Sequence, residues 1–369
     1  MPSTATDALP EEFVIPDYSG PCVTNVVPAL LEHPSIGDGW MPSGVDEARA
    51  VVLFVVDGLG WNQLRARTSI TPVLSAGQGG PITTVAPSTT AAALTSISTG
   101  APPGEHGIVG YKIRVGGDTL NCLRWATGRG DARSSIPPRE FQPLPAFGGR
   151  SPVVVNKAEF VGSGLTVAHH DGVDYRGYGT LSALVWEVEQ AIAAGERFVY
   201  TYYDGLDRAG HERGHGGAFD AEFAFVDRLV GDLRAALPDE VALLVTADHG
   251  QVDTTGHVHH LAPELKRRIH AVSGEDRFVW LHASDPIDAL MCARDVHGEH
   301  AHAMTADEVV ERGLLGRMVS SAARERLGDV ALIAKQRNAL VDPVGRIPNL
   351  LGRHGSLTAD EMLVPLLSI

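Results

Sequence analysis

Three apolar runs in this sequence each end close to side chains that bind metals. The runs and their side chains are 51–56 with Asp57, 197–203 with Asp207 and His211, and 241–247 with Asp248 and His249. Such runs predict buried strands, and ligands of open α/β sheets sit beyond the carboxyl ends of the strands. Carboxylates mixed with imidazoles favour a zinc-like or manganese-like ion over calcium. The pattern indicates a metallohydrolase.

The spacing within two of these segments supports a metal site. Asp207 and His211 are four residues apart, which places them on one face of a helical turn. Asp204 is an alternative carboxylate, but only Asp207 has that offset from His211. Asp248 and His249 can bind one ion only if the chain bends sharply, and Gly250 permits such a bend. Buried carboxylates without compensation are costly, so the combination is more specific than any member.

Strands and helices alternate between residues 153 and 247. Residues 153–155 and the runs at 197–203 and 241–247 predict strands, while apolar residues recur at helical spacing over 181–192 and 219–233. This alternation predicts an α/β fold whose mostly parallel central sheet has helices on both faces.

The remaining segments are less regular. Residues 1–45 are rich in Pro and Gly and predict an irregular lead-in. Segments 111–150 and 255–340 predict caps inserted into a single catalytic domain that spans residues 1–369. Strands are expected at 277–280 and 330–333, and capping-box patterns at 305–308 and 358–361 predict helix starts.

Composition excludes several classes of protein. The 369 residues carry a formal net charge of −15 and no Lys/Arg cluster, which argues against a broad nucleic-acid-binding face. Three widely spaced cysteines indicate neither a disulfide framework nor a CxxC zinc site. The polar start and the absence of a long apolar run predict a soluble, cytoplasmic protein without membrane contact. The expected partner is a small phosphate-containing substrate, and the oligomeric state is open.

The order of these residues resembles the alkaline phosphatase superfamily, and within it the type I phosphodiesterase and nucleotide pyrophosphatase branch. The similarity runs from about residue 48 to the C-terminus. Family members have a first-strand Asp, a Ser or Thr ten residues before the Gly of a Thr-Gly pair, a DxxGH-like element, a DHG element and a late His-Gly. The matching positions are Asp57, Thr90 before Gly100, Asp207 to His211, Asp248 to Gly250, and His354-Gly355.

The resemblance implies two divalent metal ions, with zinc expected and manganese as the alternative. It implies one ion held by Asp207, His211 and His354, and another held by Asp57, Asp248 and His249. Thr90 would be the nucleophile, beside the metals and near the start of a helix, and would form a covalent phospho-threonine. Thr89 is the alternative nucleophile.

One position departs from the family. Nucleotide pyrophosphatases have an Asn after His-Gly-Ile that binds a phosphoryl oxygen, whereas this chain continues to Tyr111. A phenol can donate one hydrogen bond with a different reach, so Tyr111 is a candidate substrate-binding residue or a core aromatic.

Several other side chains are weaker candidates. His257, His259 and His260 are interpreted as solvated loop histidines, His106 as a residue that orients its turn, and His215 as part of the rim. The side chains that could meet a leaving group are Arg124, Trp125 and Lys157.

The resemblance implies a two-metal hydrolase of phosphodiester or nucleotide pyrophosphate bonds. The alternative enzymes are a phosphomonoesterase and a C–P bond hydrolase of the phosphonoacetate hydrolase type. A sulfatase is disfavoured, because its Cys- or Ser-x-Pro-x-Arg motif is missing from residues 83–96. A metal-binding protein without catalysis is the remaining alternative.

Overall fold

A computed structural model describes residues 8–342 and 349–369. The strands are β1 (Ala50–Val56), β2 (Gln78–Thr83), β3 (Lys112–Val115), β4 (Asp118–Asn121), β5 (Ala126–Thr127), β6 (Gly130–Asp131), β7 (Val153–Lys157), β8 (Asp174–Tyr178), β9 (Phe198–Tyr203), β10 (Val241–Thr246), β11 (Val252–Asp253), β12 (Val258–His260), β13 (Ile269–Gly274), β14 (Phe278–Ala283), β15 (Ala301–Thr305), β16 (Val330–Ala334), β17 (Ala339–Val341), β18 (Gly352–Arg353) and β19 (Leu363–Ser368).

The α-helices surround the central sheet and the two inserts. They are α1 (Val23–Leu31), α2 (Trp61–Arg65), α3 (Pro72–Ala76), α4 (Thr90–Thr99), α5 (Pro103–His106), α6 (Pro138–Phe141), α7 (Gly164–His169), α8 (Leu181–Ala193), α9 (Gly205–Arg213), α10 (Gly217–Ala236), α11 (Pro263–Lys266), α12 (Pro286–His297), α13 (Ala306–Glu311), α14 (Ser321–Arg326) and α15 (Ala359–Met362). Within the described ranges, no helix is both long enough and apolar enough to cross a bilayer.

The central sheet has seven strands in the order β2-β19-β10-β1-β9-β7-β8. β1 pairs in parallel with β10 and with β9, and β7 pairs in parallel with β9 and with β8. β19 runs antiparallel to both of its neighbours. All seven residues of β1 are buried, because a parallel strand with helices against both faces needs apolar side chains on each. The predicted fold class is confirmed.

The predicted amphipathic helices are present as α8 and α10. The buried side chains of α10 include Phe219, Phe223, Val226 and Val230, which recur at helical spacing. Thr180 caps the N-terminus of α8, because its hydroxyl accepts a hydrogen bond from the backbone N–H of Ala183 at 3.3 Å.

The lead-in is less irregular than the sequence suggested. It contains α1, which buries Val23, Val26 and Val27 and packs against α4. Pro28 lies inside this helix, and Pro and Gly on either side hid its apolar period from the sequence analysis.

The two inserts form separate small sheets that share one apolar cluster. Segment 111–150, the first insert, contains the sheet β3-β4-β5-β6, and segment 255–340, the second insert, contains the sheet β13-β14-β16-β15. Ile113 and Trp125 of the first insert belong to the same cluster as Phe278 and Trp280 of the second. Trp125 is fully buried, and its indole N–H donates to Ile136 O at 2.7 Å. This tryptophan is therefore a core residue and is not placed to meet a leaving group.

Candidate metal centre and active site

Three adjacent parallel strands deliver the predicted ligands to one edge of the sheet. β1 lies between β10 and β9, with Val55 opposite Thr246 and Val56 opposite Tyr203. Asp57 follows β1 directly, and Asp248 lies two residues beyond the end of β10. The carboxyl ends of these strands coincide, so residues far apart in sequence meet there.

The helix after β9 supplies the next two side chains. Asp207 and His211 lie one turn apart on α9, and Nε2 of His211 is 3.1 Å from Oδ2 of Asp207. Asp204 precedes this helix and points to cations instead, with Lys157 Nζ at 2.5 Å and Arg208 Nη2 at 3.4 Å. The four-residue offset thus identified the carboxylate that meets His211.

His354 reaches the same place from the far end of the chain. β18 pairs with β11, which follows the Asp-His-Gly segment closely in sequence, so residue 354 is brought beside residue 249. The rings of His249 and His354 are stacked with centroids 3.7 Å apart. Nε2 of His354 lies 3.8 Å from Oδ1 of Asp207.

His211, His249 and His354 are held in the same way, through the ring nitrogen Nδ1. Nδ1 of each lies close to a backbone carbonyl: His211 to Gly352 O at 2.7 Å, His249 to Gly250 O at 2.9 Å and His354 to Ser88 O at 2.9 Å. A carbonyl only accepts, so Nδ1 carries a proton, and Nε2 is the ring nitrogen left to face the carboxylates of the cluster. Metal-binding histidines are fixed in this way, and the arrangement fits divalent ions.

Two groups of side chains place ligand atoms within 4.8 Å of one another. One is Asp57, Asp248 and His249, and the other is Asp207, His249 and His354. The first equals a predicted ligand set. In the second, His249 stands where His211 was expected, although His211 contacts Asp207 directly. His249 belongs to both groups, so its Nε2 could be a ligand of an ion in either one.

Two carboxylates of the cluster, those of Asp57 and Asp248, are not fully satisfied by the described residues. Oδ1 of Asp57 and Oδ2 of Asp248 are buried and have no hydrogen-bond partner in the described parts of the chain. Burial, followed by the charges of Asp248 and Asp207, raises the pKa of Asp57 well above its ordinary value. Burial also raises the pKa of Asp248. Carboxylates this close ionise together only beside cations, which is what a divalent metal supplies.

Neighbouring side chains hold these carboxylates in place. The Tyr202 hydroxyl donates to Oδ2 of Asp57, and Gln251 Nε2 donates to Oδ1 of Asp207 at 2.7 Å. Sequence analysis missed both residues. Tyr202 reads as one more core residue of a buried strand, whereas Gln251 directly follows Asp-His-Gly, so its position was a usable signal.

Gly250 is needed for close approach and not for the sharp bend that the sequence suggested. Its φ is not among the positive values of the described chain. A Cβ at this position would lie 2.0 Å from the backbone oxygen of Asp360. Only glycine allows the Asp-His-Gly segment to pack against α15, the short helix that leads to β19.

Thr90 faces the cluster from the start of a helix. It is the first residue of α4, and its Oγ1 lies 3.0 Å from Nε2 of His249. The first N–H that bonds back to this helix start is that of Ala93, to Thr89 O at 2.9 Å. The N–H groups of the preceding turn are therefore available to an anion.

Glu275 is a site residue that the sequence analysis did not anticipate. Its Oε1 accepts from the backbone N–H of Tyr111, and the Thr89 side chain also donates to this carboxyl. A Cβ at Gly355 would lie 2.8 Å from the Cβ of Glu275. Burial raises the pKa of Glu275 to about 8. The residue lies in the second insert, so only the fold brings it to the nucleophile and to His354.

Comparison with known proteins gives this arrangement a family. The type I phosphodiesterase / nucleotide pyrophosphatase family model matches residues 51–357. The chain belongs to this family. The match begins in β1 and ends beyond His354, so it includes every residue of the metal cluster. No curated protein matches the chain.

Solved structures share the fold of this family member. Murine ectonucleotide pyrophosphatase / phosphodiesterase 5 has a TM-score of 0.65 at 16% identity, covering 86% of this chain and 87% of its own. An inactive variant of that protein in complex with AMP has a TM-score of 0.64 at 16% identity and the same coverage. Phosphonoacetate hydrolase from Sinorhizobium meliloti 1021, in complex with phosphonoformate, has a TM-score of 0.62 at 17% identity, covering 87% and 90%.

Tyr111 lies beside the nucleophile region but points to the first insert. Its phenol oxygen accepts from Asn121 Nδ2 at 2.6 Å. Burial, then the charge of Glu275, raises the pKa of this phenol, which therefore keeps its proton. Whether Tyr111 binds substrate in this family member stays a prediction.

The other candidate histidines lie outside the metal cluster. His106 is buried, and its two ring nitrogens pair with Ser96 Oγ at 2.9 Å and Ile108 N at 3.0 Å, so it orients its turn. His215 approaches Gln251 Oε1 at 3.2 Å and thus contacts a residue that supports Asp207. His259 stacks on His300 with ring centroids 3.7 Å apart, in the second insert.

A cavity of about 370 Å³ opens beside Thr90 and the metal cluster. Leu94, Phe160 and Leu165 give it apolar walls, and Asp57 and Asp207 lie on its metal side. A larger groove, of about 900 Å³, lies beside the first residues of β1 and β9. The clustered residues, all of them described, do not line that groove, so the smaller cavity is the candidate substrate site.

Proposed function

We propose that this protein hydrolyses phosphodiester or nucleotide pyrophosphate bonds with two divalent metal ions and Thr90 as the nucleophile. One observation carries the proposal: Oγ1 of Thr90 lies 3.0 Å from Nε2 of His249, the residue common to both groups of ligand atoms. A hydroxyl at that point would lie beside an ion held by either group. Its position at the start of α4 also places free N–H groups beside it.

The residues that would hold the ions follow from the cluster. We assign Asp57, Asp248 and His249 to one ion and, as the family resemblance implies, Asp207, His211 and His354 to the other, with zinc expected and manganese as the alternative. The contact of His211 with Asp207 supports the second set, although the residue grouped with Asp207 and His354 by ligand-atom distance is His249. When bound, such ions act as Lewis acids that lower the pKa of a coordinated hydroxyl and neutralise phosphoryl charge. The unpartnered oxygens of Asp57 and Asp248 are the atoms best suited to contact a cation.

The protein's own groups then carry out two displacements. Oγ1 of Thr90 attacks phosphorus in line with the departing ester oxygen, so that the O–P bond to threonine forms as the bond to the leaving group breaks. The first-turn N–H groups of α4 donate to a phosphoryl oxygen and stabilise its charge. The proton lost by Thr90 in this step passes through solvent to the leaving group. Water then attacks phosphorus in line with the Thr90 oxygen, the bond from phosphorus to threonine breaks, and a phosphate monoester is released. A proton from that water restores the Thr90 hydroxyl.

Two of the similar solved structures suggest different substrates for this protein. The murine phosphodiesterase is described in complex with AMP, which fits cleavage next to a nucleoside phosphate. The phosphonoacetate hydrolase keeps a C–P bond hydrolase as the second candidate. The apolar cavity beside Thr90 favours the diester, because the second substituent of a diester needs apolar contact and a small phosphonate does not.

The test compares three substrates with a matched pair of variants. We expect zinc-loaded wild-type protein to hydrolyse bis(4-nitrophenyl) phosphate faster than 4-nitrophenyl phosphate or phosphonoacetate. Thr90→Ala should abolish turnover and keep both ions, because the carboxylates and imidazoles remain. Thr89→Ala should retain activity. Loss of activity in Thr89→Ala together with wild-type rates in Thr90→Ala would assign the nucleophile to Thr89, and preference for phosphonoacetate would favour the second candidate.

A further inference from the structure

Thr89 occupies the N-cap position of α4 but does not cap the helix. Its backbone is extended, as is usual at an N-cap, yet its side chain makes no hydrogen bond to the first turn. At four other helices the N-cap hydroxyl accepts from the N–H three residues later, at 3.1–3.3 Å, and these N-caps are Ser163, Thr180, Thr305 and Ser320. The equivalent N–H at the start of α4 is that of Ala92.

The Thr89 hydroxyl donates instead to Glu275, which belongs to the second insert. The backbone N–H of Tyr111 donates to Oε1 of the same carboxyl and holds it within reach of Thr89. Glu275 is 9% exposed, and burial raises its pKa to about 8. The folded protein thus disfavours a charged carboxylate at this position. An acceptor that is kept despite such a cost is a candidate for a role in the site.

Donation to a carboxylate does not by itself prevent capping. The Thr305 hydroxyl donates to Oε2 of Glu308 at 3.2 Å and still accepts from the N–H of Glu308 at 3.1 Å. There the carboxylate belongs to the helix that is capped, so one hydroxyl position makes both contacts. Glu275 approaches Thr89 from a different segment of the chain, and the cap contact is lost.

The uncapped N–H groups lie beside the nucleophile. The first N–H that bonds back to the start of α4 is that of Ala93, and the two residues before it, Ala91 and Ala92, are fully buried. A buried N–H without an acceptor costs free energy, and a phosphoryl oxygen at Thr90 would supply the acceptor. A Thr89 hydroxyl in the capping position would take one of these donors away from the substrate.

We propose that Glu275 is a positioning residue that holds the Thr89 hydroxyl away from the start of α4 and so keeps the N–H of Ala92 free for a phosphoryl oxygen. The inference rests on the proposed attack by Thr90 and names the residue that prepares the anion site beside it. Glu275 acts through Thr89 and does not touch the substrate. The second insert thereby controls a donor at the nucleophile.

The experiment begins with substitutions that differ in the acceptor. Glu275→Met keeps a long unbranched side chain without an acceptor oxygen, and Glu275→Gln keeps that oxygen. In zinc-loaded protein we expect Glu275→Met to lower kcat/KM for bis(4-nitrophenyl) phosphate by about ten- to a hundredfold, because a donor to the phosphoryl oxygen is lost. Glu275→Gln should lose less than about threefold. Glu275→Ala also lacks the acceptor and repeats the test with a smaller side chain.

Substitutions of Thr89 separate this role from general support of the fold. Thr89→Ala removes the competing hydroxyl, so Glu275→Met/Thr89→Ala should return to within about threefold of the rate of Thr89→Ala alone. Thr89→Ser keeps a hydroxyl, so Glu275→Met/Thr89→Ser should stay as slow as Glu275→Met. Isothermal titration calorimetry with inorganic phosphate should rank the affinities of these variants in the same order as their rates.

The outcomes distinguish this inference from the proposed function. Wild-type rates in both Glu275→Met and Glu275→Ala, a loss that Thr89→Ala does not relieve, or equal relief by Thr89→Ser would each overturn the role of Glu275, while hydrolysis by Thr90 would stand. If wild-type protein hydrolyses no phosphate ester, the proposed function fails. The phosphate affinities of the same variants then decide whether Glu275 controls the anion site.

Discussion

The backbone holds the histidines of the metal cluster in place. A backbone carbonyl fixes Nδ1 of His211, of His249 and of His354. Each ring thus turns Nε2 toward the cluster, where Nε2 of His211 meets Asp207 and Nε2 of His249 meets Thr90. A mutation replaces a side chain and leaves the backbone carbonyl in place, so no single substitution removes these acceptors. The orientation of these three histidines should therefore tolerate substitution of neighbouring side chains better than the orientation of histidines that are held by side chains alone.

At this scale, we predict that His354→Ala loses about one ion per chain. The remaining Asp207 and His211 would supply two protein ligands where a tight site usually has three or more. Metal analysis after gel filtration measures the stoichiometry. His257→Ala, which removes an exposed histidine, is the matched control and should keep two ions. Two ions held at full affinity by His354→Ala would remove this residue from the site.

Tyr111 gives a second prediction for a single side chain. Its oxygen accepts from Asn121, which leaves the phenol proton free to donate to a phosphoryl oxygen. Tyr111→Phe should then cost about 1 kcal/mol of transition-state stabilisation, or about fivefold in kcat/KM. Tyr111→Ala should reduce diester turnover more than monoester turnover. Normal rates in Tyr111→Phe with an unchanged diester-to-monoester ratio in Tyr111→Ala would make Tyr111 a core aromatic.

At the scale of elements, α4 and the turn after α5 form one unit. His106 joins them, because its ring bonds Ser96 on α4 and the backbone N–H of Ile108 after α5. Arg326, from α14, donates to Gly107 O at 2.8 Å and holds the same turn. The turn leads directly to Tyr111. The position of the nucleophile helix is therefore coupled to the segment that approaches the substrate.

This unit predicts how stability depends on pH. Burial, and next the charge of Arg326, lowers the pKa of His106 to about 3, whereas the unfolded chain has a value near 6.5. As the pH falls below about 6.5, the unfolded state gains the proton first, so stability is full above that pH and declines below it. The contribution lost between pH 7 and pH 5 is about 2 kcal/mol.

His106→Gln isolates that contribution. Urea unfolding at pH 7 and at pH 5 should show a smaller loss of stability in the variant than in wild-type protein, by about 2 kcal/mol. His257→Gln, an exposed replacement, should keep the wild-type difference. Equal losses in wild type and His106→Gln would mean that His106 is protonated in the folded protein.

At the scale of the whole molecule, a buried ion pair ties the second insert to the loop that carries His354. Arg277 Nε and Nη2 lie 2.7 Å from the two carboxylate oxygens of Glu361, and both side chains are fully buried. Glu361 also accepts from the backbone N–H of Ser356 at 2.9 Å. Glu275 lies two residues before Arg277 in the same turn of the second insert. This turn therefore also contacts Tyr111 and Thr89, beside the proposed nucleophile.

We predict that Arg277→Met is strongly destabilising. It leaves the Glu361 carboxylate buried without its cation, which costs about 3–5 kcal/mol in the free energy of unfolding. The double variant Arg277→Met/Glu361→Gln should recover a large part of the loss, because the uncompensated charge is gone. Arg139→Met removes an exposed ion pair with Asp171 and should change stability by less than about 1 kcal/mol. Urea unfolding measures all three, and a loss in Arg277→Met no larger than that in Arg139→Met would contradict the prediction.

Local patterns determined the family, the fold class and most of the cluster. The apolar runs before Asp57 and Asp248 predict strands whose carboxyl ends coincide in any parallel sheet, and the offset between Asp207 and His211 is a property of one helical turn. The distance from Thr90 to Gly100 is also local, since it spans the single helix α4. Such features depend on the period of the backbone, which the sequence records directly.

Tertiary structure decided which residues complete the site. His354 meets His249 only because β18 pairs with β11, and Glu275 meets Tyr111 only because the second insert packs against the first. Nothing in the sequence around Tyr202 distinguishes it from Tyr200 and Tyr203 in the same buried strand. Its role depends on the hydrogen bond to Asp57, a contact between residues distant in sequence that no local period encodes.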